Sequence, residues 1–450
     1  MMEEKRGIHP ITRWLEKASP VAFATYAIFA AFMAYFAMYA FRKPFSVALF
    51  PGQVALPFLP PIDYKIFLII AQVVGYTLSK FTGIKVISEM EAKHRAWALV
   101  GMIAAAEAAL FLFAITPKPY NALFLFANGI PLGMIWGLVF AFLEGRRLSE
   151  LLGAGLSASY ILASGVVKSV GDAVIKYLHF SEYWMPFITG LFFLPLFLLC
   201  VWMLSLMPPP SAEDEALRTK RAPMQSQDRW AFFRHFAPGL IALIVLYIFL
   251  TAYRDFRDNF AKELWTALGY KGVPLIFTQT EIYVAFGVMI ALALIMWVKT
   301  NRRAMVVVHS IMLFGSVMIG VSTMAFQAQM ISPVAWMTLV GLGLYLGYVP
   351  FGCMLFDRLL AAIRFVGTAG FMIYVADSFG YLGSVVLMLY KNFGQPTLPW
   401  LKFFVQYSYV TSVLCSVCFV FSLVYFYRIS LDVHGADELD DLPATSEGKA

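Results

Sequence analysis

Charged residues are scarce in this 450-residue sequence: Asp, Glu, Lys and Arg together make up 14% of it, and hydrophobic residues make up 60%. This balance excludes an ordinary soluble globular domain. The apolar residues form long runs separated by short polar segments, and a helix needs about 20 apolar residues to cross ~30 Å of hydrocarbon. The sequence therefore predicts an all-α polytopic membrane protein.

Cysteine and histidine are also few. The four cysteines lie in apolar runs without the spacing of metal ligands, and they are Cys200, Cys353, Cys415 and Cys418. We expect them to be buried as small apolar side chains. The six histidines are scattered, and no pair of carboxylates or activated nucleophile supports a membrane-embedded enzyme. The sequence predicts no metal and no cofactor.

Twelve apolar runs, bounded by Pro, Gly or charged residues, are candidate membrane spans. They cover residues 21–50, 63–87, 96–116, 121–143, 154–177, 184–207, 238–260, 275–298, 304–324, 334–356, 366–391 and 401–427. The predicted organisation is a lead (1–20), a six-helix half (21–207), a polar linker (208–237), a second six-helix half (238–428) and a tail (429–450). Two such halves are typical of transporters with a solute site between them. We expect the acidic tail to be disordered.

Basic residues concentrate in the loops that share a side with the two termini. Examples are the pairs Arg146 and Arg147, and Arg302 and Arg303. The positive-inside rule then places both termini and the linker in the cytoplasm of a multi-pass protein of the cell (inner) membrane. The net charge of +7 reflects this topology and does not indicate nucleic-acid binding. We expect a monomer in the lipid bilayer, with the first span retained because no cleavage site precedes it.

Ionisable residues occur inside several predicted spans, where charge is costly and usually functional. Arg254 and Asp258 are four residues apart, as are Lys168 and Asp172, so each pair can neutralise its charge along one helix face. The alternative is a purely structural role, in which each pair neutralises its own charge near the outer membrane interface. Lys80 lies about nine residues, or ~14 Å, inside the second span, where it either snorkels to the cytoplasm or faces the bundle.

Two adjacent cations, Arg42 and Lys43, interrupt the apolar stretch 35–50 of span one. Either the span ends there and the cations flank it, or the helix continues past Pro44 and Arg42 faces an internal cavity. We favour the cavity, because a basic outer flank opposes the positive-inside trend. Cations in the first, second and seventh spans outnumber the acids there. A dianion such as phosphate fits this surplus, since Arg offers a planar fork and Lys a compact charge.

Short motifs in four spans carry a family resemblance. They are Tyr39, Arg42, Lys43, Phe45 and Ala48 in span one; Ser79, Lys80, Phe81 and Gly83 in span two; Arg254 after Tyr247 in span seven; and Gly367, Thr368, Ala369 and Gly370 with residues 379–384 in span eleven. These motifs resemble the organophosphate:phosphate antiporters of the major facilitator superfamily, represented by the bacterial glycerol-3-phosphate and hexose-phosphate transporters. The loop KVISEMEAKHR lacks the usual superfamily signature, and Lys168 is the nearest polar residue to the family's fifth-span histidine. The chain resembles a distant branch.

The resemblance implies a major facilitator fold and a secondary active transporter that moves an anionic, phosphorylated small solute by alternating access. The transport would be organophosphate/phosphate antiport or proton-coupled uptake. In this hypothesis Arg42 and Arg254 clamp the phosphate and Lys80 supplements them, while Lys43 and Lys168 line the path.

Asp377 in span eleven and Glu107 in span three are candidate proton-coupling carboxylates, because a buried carboxyl can hold a proton. Ordinary packing is the alternative for both. Two other functions stay open: a transporter-like receptor that senses a phosphorylated solute, and a major facilitator transporter of another organic anion.

Overall fold

The computed structural model describes residues 9–56, 59–88, 90–143, 146, 149–210, 226–298, 300–363 and 369–440. The helices of the first half are α1 (Pro10–Lys17), α2 (Pro20–Met38), α3 (Tyr64–Ser88), α4 (Ala92–Ile115), α5 (Ala122–Leu143), α6 (Ser149–Leu178) and α7 (Met185–Ser205). Those of the second half are α8 (Ser226–Asn259), α9 (Ala261–Ala267), α10 (Ile276–Met296), α11 (Asn301–Gln327), α12 (Pro333–Cys353), α13 (Leu355–Ala362), α14 (Ala369–Leu389) and α15 (Trp400–Asp440).

Within the described residues, 11 helices are long and apolar enough to cross a membrane, namely α2 to α8, α10 to α12 and α15. Helix α14 has 21 residues and stands where the eleventh span was predicted. Each half therefore contains six spans. A helix satisfies its own backbone hydrogen bonds, which is why long apolar runs adopt this structure in hydrocarbon. The predicted all-α polytopic architecture is confirmed.

The first span ends earlier than predicted. Helix α2 stops at Met38, and two 3₁₀ turns follow, over Tyr39–Phe41 and Pro44–Val47. Pro44 has no N–H group and its ring clashes with the preceding helical turn, so a continuous helix to residue 50 is wrong. The span ends before Arg42 and Lys43, yet both cations are buried inside the protein and do not form an exposed flank.

Two amide side chains stabilise the turn that carries these cations. The Nδ2 of Asn128 donates to the Phe41 carbonyl at 3.1 Å, and the Nε2 of Gln72 donates to the Arg42 carbonyl at 3.2 Å. Gln72 also donates to Asn128 Oδ1 at 2.8 Å. Carbonyl groups freed at the end of α2 therefore keep hydrogen-bond partners, which a buried membrane segment requires.

Three other segments differ from prediction. Strands β1 (Gln53–Leu56) and β2 (Leu59–Asp63) form an antiparallel hairpin that the all-α prediction omitted. Helix α8 begins at Ser226, inside the predicted linker 208–237, and α15 continues to Asp440, into the predicted tail 429–450. Extending a helix costs much less than nucleating one, so both spans propagate into polar sequence. Residues 441–450 lie outside the described part.

Glycines bring α3 and α5 into close contact. A Cβ atom at Gly129 would lie 2.3 Å from the carbonyl oxygen of Gln72, and a Cβ atom at Gly75 would lie 2.1 Å from that of Phe126. Small residues permit such approaches between membrane helices, whose association depends on packing. This contact holds α3, which carries Gln72 and Lys80, against α5 within the first half.

The two halves meet where α3 packs on α14 and α6 packs on α10. At the second contact, a Cβ atom at Gly165 of α6 would lie 2.4 Å from the carbonyl oxygen of Phe277 and 2.9 Å from the side chain of Glu281. The backbones of the two halves therefore touch with no side chain between them at this point.

We predict that Gly129→Ala destabilises the protein by about 1–3 kcal/mol, because the added methyl group overpacks the contact with α3. Thermal unfolding in detergent measures this effect. Gly101→Ala is the matched control, since a Cβ atom at that helical position meets open space. Equal melting temperatures for the two variants would contradict the proposed close contact.

Candidate functional site

A cavity lies between the two halves, with about 50 Å³ of space in this conformation. Its lining from the first half is Tyr35, Tyr39, Tyr76, Lys80, Trp136, Ser157 and Tyr160. Its lining from the second half is Tyr247, Arg254, Tyr348, Gly352, Ile373, Asp377 and Tyr381. We refer to its seven tyrosines as the tyrosine lining. Of the residues predicted to act on a solute, this cavity directly contains Lys80, Arg254 and the carboxylate Asp377.

Arg254 on α8 is held rigidly at the cavity wall. Its Nη2 donates to Asp255 at 3.0 Å and to the Tyr381 hydroxyl at 3.1 Å, its Nε donates to Asp255 at 3.3 Å, and its Nη1 donates to the Tyr348 hydroxyl. The guanidinium also lies 4.5 Å from the centre of the Tyr348 ring. Asp255 neutralises its charge, so the predicted pairing of Arg254 with Asp258 is wrong.

Arg42 has a different environment. Its guanidinium carbon lies 3.8 Å from the centre of the Tyr76 ring and 5.7 Å from that of Tyr381, two members of the tyrosine lining. The residue is 3% exposed, and its Nε is buried without an acceptor. Among the residues that the structure describes, its guanidinium has no hydrogen bond and no ion pair. Among the described residues, Arg42 is therefore a buried cation with no carboxylate within ion-pair distance, positioned behind the cavity wall.

Lys80 on α3 connects the two halves through the cavity. Its Nζ lies 3.1 Å from the Asp377 carboxylate of α14, and Asp377 also accepts a hydrogen bond from the Tyr247 hydroxyl at 2.5 Å. The residue is 4% exposed, so the snorkelling alternative is wrong. A carboxylate contributed by the other half compensates the charge at lower cost than extension of the side chain to solvent.

A second cluster of charged residues consists of Lys43, Lys168 and Asp258. It closes the cavity near the C-terminal ends of α2, α6 and α8, and we call this side of the cavity the distal side. Asp258 lies 2.5 Å from both Lys43 and Lys168, and it accepts a hydrogen bond from Ser164. Lys43 also donates to Asn259 Oδ1 at 3.1 Å. The lysines and Ser164 belong to the first half and Asp258 to the second, so one carboxylate joins the two halves.

Further contacts on the distal side also join the two halves. Lys262 pairs with Asp172, which shows that the predicted neutralisation of Lys168 by Asp172 within α6 is wrong. Lys65 lies 2.5 Å from Glu263 on α9. Burial raises the pKa of Glu263 while Lys65 opposes that rise, so Glu263 takes up a proton at a higher pH than an exposed carboxyl would. These pairs close the distal side in this conformation.

The positive and negative charges at the cavity and on the distal side do not balance. The cations are Arg42, Lys43, Lys80, Lys168 and Arg254, and the carboxylates are Asp255, Asp258 and Asp377. Five cations against three carboxylates leave two positive charges in excess. The other pairs that link helices here are matched one to one. An excess of this kind in a low-dielectric interior favours binding of an anion.

Glu107 lies apart from the cavity lining. Both oxygens of its carboxyl group are buried without a hydrogen-bond partner, and a Cβ atom at Gly190 of α7 would lie 2.3 Å from Oε2. The residue therefore packs between α4 and α7, inside the first half. The structure separates Glu107 from Asp377, so the two candidate proton-coupling residues do not form one site.

Sequence reasoning missed the tyrosine lining, the partner Asp255 and the amides of Gln72 and Asn128. A usable signal was present in α3, where Gln72, Tyr76 and Lys80 are spaced four residues apart and therefore share one helix face. The large aromatic content of the chain hid this pattern, because tyrosines also occur at lipid-facing and core positions.

In the described residues, the eleven candidate spans and α14 form two six-helix halves around a shared cavity, which is the major facilitator fold. A bacterial homologue of the human drug peptide transporters PepT1 and PepT2 has a similar structure, with a TM-score of 0.58, 10% sequence identity, and coverage of 91% of this chain and 99% of that one. A POT family transporter in complex with a thioalcohol-conjugated peptide has a TM-score of 0.58, 11% identity, and coverage of 90% and 96%. These likenesses define the fold.

The chain belongs to the family of unknown function DUF5690, whose sequence profile matches residues 44–429. A comparison with curated proteins found no match. Neither of the two similar structures is described as an organophosphate:phosphate antiporter, so the resemblance to that family stays a hypothesis.

We predict that Asp258→Asn opens the distal side, because it leaves Lys43 and Lys168 without a counter-charge; loss of one partner of a buried pair costs about 3–5 kcal/mol. The readout is labelling of Ser169→Cys by a membrane-impermeant maleimide, with the native cysteines replaced by alanine. Ser169 is buried on the distal side, where it donates to the Pro274 carbonyl at 2.7 Å. We expect labelling to rise several-fold.

The matched control is Glu91→Gln, which breaks the exposed 2.7 Å pair with Lys93. Exposed pairs contribute little to stability, so this variant should label like the parent. Unchanged labelling in Asp258→Asn would show that the bridge to the two lysines does not hold the distal side closed.

Proposed function

We propose that the protein is a secondary active transporter of a small anionic solute, which it moves by alternating access. The observation that carries this proposal is Arg42, a buried guanidinium beside a cavity between the halves that forms no ion pair with any carboxylate in the described part of the chain. A buried charge is retained at a cost of several kcal/mol unless it is compensated. An anionic solute would supply that compensation.

Phosphate or a phosphate ester fits the excess of positive charge best. The two arginines come from opposite halves, and an arginine presents paired N–H donors that match two phosphate oxygens. Arg254 already directs its donors into the cavity wall, whereas Arg42 has donors to offer once the Tyr76 ring moves. Lys80 would add a third positive charge next to the anion, and Lys43 and Lys168 would lie along its distal path.

The two structurally similar proteins are described as peptide transporters, and a peptide is the main alternative solute. A peptide also carries an ammonium group, which needs a carboxylate in the site. Asp377 is the carboxylate of the cavity lining, and Lys80 and Tyr247 already engage it. This arrangement supports a solute with net negative charge over a zwitterion. Other organic anions remain within the proposal.

Binding of an anion would couple to alternating access through the same charges. A solute can shift a conformational equilibrium only by binding one state better than the other. With the distal side closed, the cations of both halves approach one another and an anion between them is favoured. On release, repulsion among the cations would favour separation of the halves. We further propose that the termini are cytoplasmic, so that this conformation is closed toward the outside.

We predict that Arg42→Met weakens anion binding by about 10- to 150-fold, the range expected for one charged hydrogen-bonding group. The measurement is exchange of labelled phosphate into phosphate-loaded liposomes that contain the protein. Arg42→Lys should keep part of the activity. Arg302→Met is the matched control, because Arg302 also stacks on a tyrosine, 4.8 Å from the centre of the Tyr427 ring, but Tyr427 does not belong to the tyrosine lining, whereas Tyr76 does.

Two results would overturn the proposal in different ways. If the wild-type protein neither binds nor exchanges phosphate or a small carboxylate, the transport function is wrong. If exchange by Arg42→Met equals that of the wild type, the role of Arg42 is wrong. Anion binding without any exchange would favour the receptor hypothesis.

We also predict that Asp377 couples transport to protons, since it pairs with Lys80 across the halves and would release that lysine when protonated. In Asp377→Asn, an inwardly directed proton gradient should no longer accelerate phosphate uptake. Glu107→Gln tests the other buried carboxyl, which lies away from the cavity, and should leave this acceleration intact. The reverse pattern would assign the coupling to Glu107.

A further inference from the structure

The lining of the cavity narrows the class of solute, an inference that rests on the proposed transport function. Eight of the fourteen lining residues are aromatic, namely the tyrosine lining and Trp136. Ile373 is the aliphatic residue of that lining. We infer that the solute is an aromatic anion: a single planar ring that carries the phosphate or carboxylate group.

The tyrosines are arranged as pairs of rings that a further ring could join. Tyr247 and Tyr348 are stacked, with centres 5.0 Å apart and planes at 20°. Tyr76 and Tyr381 have centres 4.8 Å apart, and these two residues belong to opposite halves. Aromatic rings attract one another in stacked and edge-to-face geometries at centre distances of about 4.5–7 Å. A ring between the halves would therefore contact both of them.

The charged groups of the lining are already engaged, so a sugar or another polyol would depend on the tyrosine hydroxyls and Ser157. Recognition of many hydroxyl groups needs several free hydrogen-bonding side chains, and buried polar groups left without partners cost affinity. Asp377 is engaged by Lys80 and Tyr247, and Arg254 is engaged by Asp255 and two tyrosines. The residues of the lining that the structure describes include no Asn or Gln. An aromatic ring makes few such demands and fills the space by contact with ring faces.

The size of the cavity limits the ring. Its space of about 50 Å³ in this conformation is below the ~150 Å³ of a cavity that binds benzene. A ring can therefore enter only when the halves separate. A smaller ring requires less separation of the halves, which favours a single ring over fused rings.

A matched series of ligands tests the inference on the wild-type protein. The readout is inhibition of labelled phosphate exchange by phenyl phosphate, cyclohexyl phosphate and glucose 6-phosphate, with benzoate and cyclohexanecarboxylate as carboxylate counterparts. Each pair shares its charged group and ring size and differs in aromaticity. One aromatic contact contributes ~0.5–1.5 kcal/mol beyond buried area, so phenyl phosphate should bind about 2- to 12-fold more tightly than cyclohexyl phosphate per ring engaged.

A variant pair adds a second measurement. Tyr160 of the first half lies edge-on to Tyr348 of the second, with ring centres 6.3 Å apart. Tyr160→Phe keeps the ring and should keep the preference for phenyl over cyclohexyl phosphate, whereas Tyr160→Leu should reduce it. Tyr177→Leu is the control, because Tyr177 is 62% exposed at the end of α6. Melting temperatures verify that each variant is folded.

The outcomes separate this inference from the proposed function. If neither phosphates nor carboxylates bind, the proposed function fails. If they bind but cyclohexyl phosphate or glucose 6-phosphate equals or exceeds phenyl phosphate, the aromatic class is wrong and the transport of anions stands. Preference for the phenyl and benzoate members in wild type, lost in Tyr160→Leu alone, supports the inference.

Discussion

Asp258 bridges Lys43 and Lys168 across the two halves, and with the pairs Lys65–Glu263 and Lys262–Asp172 it joins the halves on the distal side. One carboxylate shared by two lysines stabilises both cations in a low-dielectric interior, but the three groups together keep one net positive charge. The same shortage recurs behind the cavity wall, where Arg42 forms no ion pair with any carboxylate that the structure describes. The closed conformation is therefore stabilised by the ion pairs between the halves and destabilised by the remaining repulsion among the cations. A bound anion would reduce that repulsion.

The early end of α2 makes this arrangement geometrically feasible. A continuous helix would turn Arg42 and Lys43 about 100° apart on one cylinder and carry both toward the membrane surface. The 3₁₀ turns before and after them instead keep the pair inside the bundle, where Lys43 reaches Asp258 and Arg42 reaches the Tyr76 ring. Gln72 and Asn128 bind the carbonyls of the turn, so the same two amides that satisfy the backbone also position both cations.

Much of the fold followed from the sequence because length and hydropathy decide where a chain crosses a membrane, and nine of the twelve predicted spans lie within five residues of a helix at both ends. Spans one, seven and twelve differ by more. The ion pairs did not follow. A spacing of four residues predicts contacts only within one helix. For that reason the sequence predicted the ion pairs Arg254–Asp258 and Lys168–Asp172. Their true partners are an adjacent residue, Asp255, and a residue of the other half, Asp258. Pairing between distant helices depends on how the halves pack, which periodicity does not encode.

The tyrosines and the unmatched cation are two parts of one physical solution. An unpaired guanidinium in the interior has to be stabilised before a solute arrives, and the face of Tyr76 at 3.8 Å provides a cation–π attraction that does not use up the N–H donors. A carboxylate in that place would stabilise Arg42 more strongly, but it would also compete with any anion. Aromatic partners hold the cation and keep its charge available. Tyr76, Tyr348 and Tyr381 place their ring faces on the two arginines, and in the proposed function the same faces would contact a planar solute.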